Sequence, residues 1–516
     1  HFEARRQRQM CIRDSTWSSC CEQPVQRLYL GLCAHYNLKI FGADITDAYA
    51  HAPKATTPTY LKIDDAYASW YRDRFGKEID KRKVLPVEHS LQGHPESGRQ
   101  WMKMIDNVLI DQLGFTTTTH DRCVYRKEVD GKLVILLRQV DDFLIGCENE
   151  KLARDITHSI GIKVRFETEA LKDEVPIEFL GLVNDYNGVD IIQTDSYIEV
   201  SAEKYIQRFL ASHGWDTSSD EDRVDPMKSS RPVSPLPTDH HSVQQMYTNI
   251  GPRENTPEAY ALQEASGFAY RTVLGEMMYS YITARPDIGY AITTLSKFSS
   301  CPSAYHYAKL KGVAKYLRST IDWGIRFKRP KFMAGLPKGK PYYLKEDTGE
   351  VFPVNINVPI LYGFVDASHA TDPRKMRSVT GLVFTFNGGA VVYRSKTQGL
   401  TASSSTEAEL VAAYSAGKIA RYLRHILIEL KFAQDEPTKV HIDNLPALQI
   451  INENTSPTER SRHMDIRFFS LQDWRQEGDL VMVHIKGTLN MSDDLTKSLG
   501  WVLHARHCRR MMGHYG

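Results

Sequence analysis

Leu136-Leu137-Arg138-Gln139-Val140-Asp141-Asp142-Phe143-Leu144-Ile145 sets two acids between two apolar runs. Apolar residues on both sides of the pair read as two buried strands joined by a tight turn, because an exposed turn needs no flanking core. Asp also suits β-turns through its own backbone hydrogen bonds, so a plain structural turn is the competing reading of the pair taken alone. A third acid falls in a comparable place. Ala43-Asp44-Ile45-Thr46-Asp47-Ala48-Tyr49 puts Asp44 near the end of an apolar strand over 38–45. Hard divalent ions take carboxylate oxygens, and two such ions roughly 3.5–4 Å apart can activate an attacking hydroxyl and neutralise a leaving pyrophosphate. Asp44, Asp141 and Asp142, carried on strand ends, are candidates for that work.

Outward from the hairpin, residues 28–210 alternate short apolar runs (38–45, 133–137, 143–147, 179–183, 191–193) with helical stretches, as in a mixed α/β domain. Trp101, Ile105, Val108, Leu109 and Leu113 recur at helical spacing ahead of Gly114, which predicts a helix closed by a glycine. Residues 215–259 turn rich in Ser, Asp, Pro and Thr and predict a linker. A helical connector is expected over 260–358, with periodicity at 260–283 and 304–317 interrupted by Ala284-Arg285-Pro286-Asp287. From 359 to 500 the order strand, strand, strand, long helix, strand, helix, helix, strand, helix predicts a mixed sheet flanked by helices. Periodicity is lacking to about Cys21, so 1–27 reads as an unassigned, truncated or foreign edge, and 501–516 as a tail.

The chain has 516 residues, 41% hydrophobic and 25% charged, which gives room for more than one core. A formal charge of +2 neither favours nor excludes a nucleic-acid partner, so local charge decides. Eight cysteines are scattered without a Cys-x-x-Cys pair, which fits neither a zinc framework nor a secreted disulfide scaffold and points to a reducing, intracellular setting. The sequons at Asn454 and Asn490 then read as chance matches. No apolar run approaches the length of a bilayer crossing, so no membrane partner is expected.

The run 38–53, then Ser90-Leu91-Gln92-Gly93-His94-Pro95-Glu96-Ser97-Gly98-Arg99-Gln100-Trp101, Leu113-Gly114-Phe115, Asp121-Arg122-Cys123-Val124-Tyr125, Val140-Asp141-Asp142 and Phe179-Leu180-Gly181 follow one another in a particular order. That order resembles the reverse transcriptases of copia-type LTR retrotransposons, and the resemblance spans 28–499. It implies an α/β (α+β) architecture: a right-hand-like palm and thumb over 28–214 with truncated fingers, the helical connector, and a ribonuclease H-like mixed-sheet domain. It further implies Asp44, Asp141 and Asp142 as ligands of Mg²⁺ (or Mn²⁺), and Tyr49 as an aromatic gate that excludes a 2′-hydroxyl. Gln92 with Gly93 would lie near the incoming nucleotide. A core tyrosine and a structural turn are the alternatives for Tyr49 and for Gln92-Gly93. Two departures stand out: Gln139 where the family usually has Tyr, and Pro95-Glu96 where it commonly has Lys-Gln, which removes positive charge near a polyanionic substrate.

Acids recur in the C-terminal region. Asp366 follows Leu361-Tyr362-Gly363-Phe364-Val365, Glu407 and Glu409 open the long helix, Asp443 follows Val440-His441-Ile442, and Asp493 and Asp494 lie in Asn490-Met491-Ser492-Asp493-Asp494-Leu495-Thr496-Lys497. Strand-end turns and helix N-terminal charges are their structural alternatives. Carboxylates that converge repel one another unless cations sit among them. In order and approximate spacing these segments resemble copia-type ribonuclease H, which implies Asp366, Glu409, Asp443 and Asp494 as catalytic metal ligands; Leu410-Val411-Ala412 favours Glu409 over Glu407. Arg460-Ser461-Arg462-His463-Met464-Asp465-Ile466-Arg467 is similar to the family's Arg-x-Lys-His-Ile-Asp-Ile-Arg and implies Arg462, His463 and Arg467 as backbone contacts to a hybrid, with a solvated helix start as the alternative. The connector segment from Tyr270-Arg271 through Thr283-Ala284-Arg285-Pro286-Asp287-Ile288-Gly289-Tyr290 also resembles the family and is assigned packing and hybrid guidance.

The resemblance therefore implies RNA-directed DNA polymerisation with ribonuclease H activity, acting on an RNA template, a DNA primer, the RNA–DNA hybrid and deoxynucleoside triphosphates, beside other polyprotein segments. The competing class is a retroelement remnant that binds nucleic acid without polymerising. Gln139, Pro95, Glu96 and the missing fingers favour it, and retention of all seven acids opposes it.

Overall fold

The computed structural model describes residues 20–164, 175–216, 234–329, 342–345, 351–354, 360–452 and 465–514. Contacts divide the chain into two units, one of residues 1–22 and 38–183 and one of 23–37 and 184–516, so that helix α1 (Gln23–His35) belongs with the second.

The first unit is built on an antiparallel sheet. Strand β1 (Lys39–Ile45) is buried on both faces apart from its exposed lysine and half-buried Asp44, and needs cover on both sides. With β2 (Thr116–Thr117), β3 (Val124–Val129), β4 (Lys132–Gln139), β5 (Asp142–Cys147) and β6 (Ile177–Leu182) it forms a sheet ordered β2-β3-β4-β5-β1-β6. Trp101 and Ile105 of α2 (Ser97–Asp106) and Ile156 and Ile160 of α3 (Glu150–Val164) join Phe41, Ala43, Leu136, Phe143 and Ile145 in one core. The expected helix stop holds: a π-helical turn, Asn107–Gln112, follows α2, and Gly114 takes φ 72°.

Register Gln139↔Asp142 leaves Val140 and Asp141 as a two-residue loop between β4 and β5. Val140 sits at φ 60°, a region that a β-branched side chain disfavours. Its carbonyl accepts from Trp101 Nε1 at 2.7 Å, and Ile45 N donates to Asp141 O at 3.2 Å. The core helix and the neighbouring strand thus hold a strained turn in one conformation.

The second unit holds a small antiparallel sheet ordered β10-β9-β8-β7, from β7 (Asp185–Tyr186), β8 (Val189–Gln193), β9 (Tyr197–Ser201) and β10 (Ile325–Lys328). It also holds the expected mixed sheet. Strands β11 (Leu361–Asp372), β12 (Arg377–Phe386) and β13 (Gly389–Thr397) are antiparallel, while β14 (Thr438–Ile442) and β15 (Leu480–His484) run parallel to β11, giving the order β13-β12-β11-β14-β15. Helices α4 (Tyr270–Thr283), α5 (Gly289–Ser296) and α6 (Ala304–Ser319) make the connector; α7 (Ser405–Glu429), α8 (Leu445–Asn452), α9 (Asp465–Gln476) and α10 (Trp501–Met512) accompany the mixed sheet.

Four expected boundaries shift, each for a physical reason. Residues 184–214 pack with the second unit because β9 pairs with β10, Tyr197 opposite Lys328. The edge drawn over 1–27 ends inside α1, which starts at Gln23. Of the linker, 217–233 lies outside the described residues, and His240–Thr248 is a helix capped by Asp239, whose side chain accepts from Ser242 N at 2.8 Å. The tail contains α10, with Cys508 and Met511 fully buried. Among the described residues no helix is long and apolar enough to cross a membrane.

A 3-10 turn at Met491–Leu495 packs against β12 at Gly381, where an added Cβ would lie 2.5 Å from Ser492 O and 2.6 Å from Thr496 Cγ2. Backbone cannot yield as a flexible side chain does. Gly381→Ala is expected to lower unfolding stability by about 1–3 kcal/mol through overpacking, read as a lower urea midpoint at unchanged slope.

Candidate active sites

In the first unit, antiparallel pairing sets Asp44 of β1 directly opposite Asp142 of β5, and the turn carries Asp141 next to both. Burial, then Asp141 and Glu178, holds the Asp44 carboxyl above the ordinary carboxylate range. Burial, then Asp141 and Asp44, does the same to Asp142. The structure therefore brings the three predicted acids together, and it adds Glu178, which β6 places opposite Asp44. No reading of the sequence singled out Glu178; its signal was only its place two residues ahead of Leu180-Gly181.

Tyr49 is half-buried against the core of this unit, with its hydroxyl raised first by burial and then by the charge of Asp141. Gln92 and Gly93 lie exposed in the turn before α2, Gly93 at φ 88°, and among the described residues no hydrogen bond or ion pair joins them to the acids. The same loop explains Glu96. Its side chain is buried and accepts from Thr56 N at 2.8 Å, Thr56 Oγ1 at 2.5 Å and Thr57 Oγ1 at 2.7 Å, and these bonds hold its carboxyl below the usual range. The charge is turned inward and anchors the loop. Gln139 is likewise engaged, accepting from Cys21 N at 3.1 Å.

In the second unit, Asp366 lies in β11 and Asp443 directly follows β14, and the parallel register Phe364↔His441 carries the two to the same level. One oxygen each of Asp366, Asp443 and Asp493 lies within 4.8 Å of the others. Glu409, in the early turns of α7, is buried, and its carboxyl is raised by that burial and then by Asp366 and Asp443. Burial and then Asp366 raise Asp443 and Asp493. Lys497 supplies the local cation: its Nζ is 3.0 Å from Asp493 Oδ2, and the carboxylates outweigh the effect of burial to keep it protonated.

Glu407 and Asp494 are the informative neighbours. Glu407 completes a helix cap, its N–H bonding Ser404 Oγ at 3.1 Å and its Oε2 accepting from Ser403 N at 2.7 Å, which leaves Glu409 to face the cluster. Asp494 does not join the cluster. The 3-10 turn rotates adjacent side chains about 120° apart, so when Asp493 faces Asp366 its neighbour must face elsewhere. Asn490 sets that phase, with Nδ2 donating to Val365 O at 2.9 Å and Oδ1 accepting from Ser492 N at 3.3 Å. Asp493 takes the place expected for Asp494.

Two buried oxygens in this group, Glu409 Oε2 and Asp493 Oδ1, have no hydrogen-bond partner. Unsatisfied buried carboxylate oxygens among like charges are the donor set a hard divalent cation suits. Arg467 is partly buried near the start of α9, and Arg462 and His463 lie outside the described residues. Arg285 and Asp287 are fully buried, so the connector motif packs and does not meet a nucleic-acid backbone through these side chains.

Residues 5–221 match the family model described as reverse transcriptase (RNA-dependent DNA polymerase). Over 94% of its length the chain is 27% identical to the Pol polyprotein of transposon TNT 1-94 from Nicotiana tabacum, covering 32% of that protein. Over 94% it is also 23% identical to that of transposon RE1 from Arabidopsis thaliana, covering 28%. The chain thus spans less than a third of the length of these curated relatives. Among solved structures, a ribonuclease H1 isolated from compost by a metagenomic approach is 20% identical, with 27% of this chain and 93% of that one covered at a TM-score of 0.22. With ordered motifs from strand β1 to the 3-10 turn and sequence relatives matching along nearly the whole length, the chain is similar to the Pol polyproteins of copia-type retrotransposons.

Proposed function

We propose that the chain is an RNA-directed DNA polymerase with ribonuclease H activity, and that each of its two units carries one of the two chemistries. The observation that carries this reading is the pair of separate carboxylate groups, each built around strand-borne acids, with Asp44 and Asp142 in one and Glu409 and Asp443 in the other raised by burial and by neighbouring carboxylates. In the first, Asp44, Asp141 and Asp142 hold Mg²⁺ (or Mn²⁺); in the second, Asp366, Glu409, Asp443 and Asp493 do. The bound ions supply Lewis-acid stabilisation of a phosphodiester undergoing displacement.

The chain's own residues do the rest. The 140–141 turn fixes the angle at which Asp141 and Asp142 are offered, the ring of Tyr49 excludes a 2′-hydroxyl, and Gln92 with Gly93 borders the nucleotide. Lys497 balances charge at the second group and can contact a phosphate. Arg467, with Arg462 and His463, meets the hybrid backbone by salt-sensitive contacts. The ligands are an RNA template, a DNA primer, deoxynucleoside triphosphates and the RNA–DNA hybrid, and the setting is an intracellular particle or the nucleus.

Primer extension on an RNA template and cleavage of a labelled hybrid separate the two chemistries. Loss of a direct metal ligand exceeds the effect of losing a supporting residue, so Asp141→Asn is expected to lower extension by more than about a hundredfold while leaving hybrid cleavage within about twofold. Asp443→Asn is expected to do the reverse. Extension that survives Asp141→Asn, or cleavage that survives Asp443→Asn, contradicts the assignment.

A second expectation concerns pH. Asp443 and Asp493 have raised pKa values in the folded state, so the native protein retains protons that the unfolded chain has released. Stability from these groups is therefore present below the ordinary carboxylate range and falls as pH rises through the raised values. Thermal melts in EDTA should show Asp443→Asn stabilising the chain more at pH 8 than at pH 5. Millimolar Mg²⁺ should stabilise the parent at pH 8 and the variant much less. Equal effects of the substitution at both pH values would remove the electrostatic account.

A further inference from the structure

Asp494 is 3% exposed, and Asp493, its neighbour in the same turn, faces the nuclease carboxylates. Its Oδ1 accepts from His504 Nδ1 at 2.7 Å. The other nitrogen of that ring, Nε2, lies 2.9 Å from the hydroxyl of Tyr316, and the hydroxyl donates to Asp287 Oδ2 at 2.8 Å. Since the tyrosine proton is committed to Asp287, Nε2–H donates to the tyrosine oxygen, and both ring nitrogens of His504 act as donors. Arg285 closes the chain, donating through Nη2 at 2.7 Å and Nε at 3.0 Å to Asp287 and through Nη1 at 2.9 Å to Thr320 O. Signs alternate along this path from Asp494 to Arg285, so the fully buried series carries no net charge.

Cys508 fills the remaining side of Asp494, its Sγ 3.8 Å from Oδ2. Asp494, His504 and Cys508 resemble a ligand set for a softer cation, but both nitrogens of His504 are already spent on hydrogen bonds, so the group is satisfied as it stands. What it fixes is the turn. On the near side Asn490 bonds Val365 O and the Thr496 hydroxyl bonds Asp366; on the far side the Asp494–His504 pair holds it, with Cys508 packed beside it. Rotating Asp494 away from His504 would strand a buried charge and swing Asp493 by the same angle.

We propose that Asp494 is a positioning residue for the nuclease: its bond to His504, carried through Tyr316 to Asp287 and Arg285, locks the 491–495 turn in the rotation that presents Asp493 to Asp366 and Asp443, and so sets the divalent-ion affinity of that group. The inference rests on the ribonuclease H reading and adds to it residues from the connector and from α10 that touch neither metal nor substrate.

The experiment uses the full chain with Asp494→Asn, Tyr316→Phe and, as the direct-ligand comparison, Asp493→Asn, each checked for native circular dichroism. Two quantities are read: the Mg²⁺ concentration giving half-maximal hybrid cleavage, and Mn²⁺ bound by the nucleic-acid-free protein in an electron paramagnetic resonance titration. Supporting residues of metal sites typically change affinity 10–100-fold, so Asp494→Asn should raise the half-maximal Mg²⁺ about tenfold, weaken Mn²⁺ binding in parallel, and recover a cleavage rate within about twofold of the parent at saturating Mg²⁺. Tyr316→Phe should move both readings in the same direction by a smaller factor. Asp493→Asn should not recover at any Mg²⁺ concentration. Unchanged metal dependence in Asp494→Asn overturns the inference, as does lost cleavage with unchanged Mn²⁺ affinity. Should Asp494→Asn fail to fold, unchanged metal dependence in Tyr316→Phe overturns it equally. A parent chain that neither cleaves hybrid nor responds to Asp493→Asn overturns the ribonuclease reading itself, and the inference with it.

Discussion

Like charges brought close together in a half-dry environment push apart, and every kilocalorie of that repulsion must be absorbed by backbone that cannot move. In both units the backbone that resists is a sheet whose acid-bearing strand is largely buried. Asp44 and Asp142 are cross-strand partners in an antiparallel pair, whereas Asp366 and Asp443 stand at one level of a parallel pair. Neither arrangement leaves a hinge between the acids. A loop-borne cluster could relax by opening; these relax by taking up protons or cations, in keeping with the raised pKa values of Asp44, Glu409, Asp443 and Asp493.

The units complete their clusters by different means. In the first, the last acid comes from a two-residue turn whose leading residue, Val140, is held at positive φ by Trp101 from below. Strain is stored in the backbone and the core keeps it there. In the second, the last acid comes from a 3-10 turn with no strained residue; its rotation is set by side chains, Asn490 and Thr496 on one side and Asp494 on the other. Gly381 provides the close approach that lets this turn lie against β12. A missing methyl group and a buried ion pair thus do in one unit what a strained valine does in the other.

Period and order made most of the strands and the mixed sheet legible, since an apolar strand bounded by polar residues has few other uses. The hairpin acids were readable for the same reason: nothing but a turn fits between two buried runs. What misled was adjacency. Asp493 and Asp494 are the same residue type in the same segment, and only the phase of the turn, fixed by long-range bonds from Asn490 and His504, separates the one that faces the cluster from the one that faces inward. The anchoring role of Glu96 was not legible for a related reason, because its partners Thr56 and Thr57 lie some forty residues earlier in the chain. Boundaries failed where pairing is non-local, as with β9 and β10, whose contact no window of sequence contains.

The buried series from Asp494 to Arg285 also changes what the connector is for. A helical segment between two chemistries invites a role in guiding nucleic acid, yet Arg285 and Asp287 are wholly enclosed and spend their charges on each other, on Thr320 and on Tyr316. Taking an arginine and an aspartate out of water is costly, and a packed apolar pair of similar volume usually does as well for stability alone. Their alternation with His504 and Asp494 gives these charges directional bonds that apolar side chains lack. A hydrogen-bonded chain transmits an angle, and the angle delivered at its end is that of the turn bearing Asp493. The connector and the mixed sheet are therefore parts of one construction, in which residues 285–320 hold the geometry that residues 366–493 use.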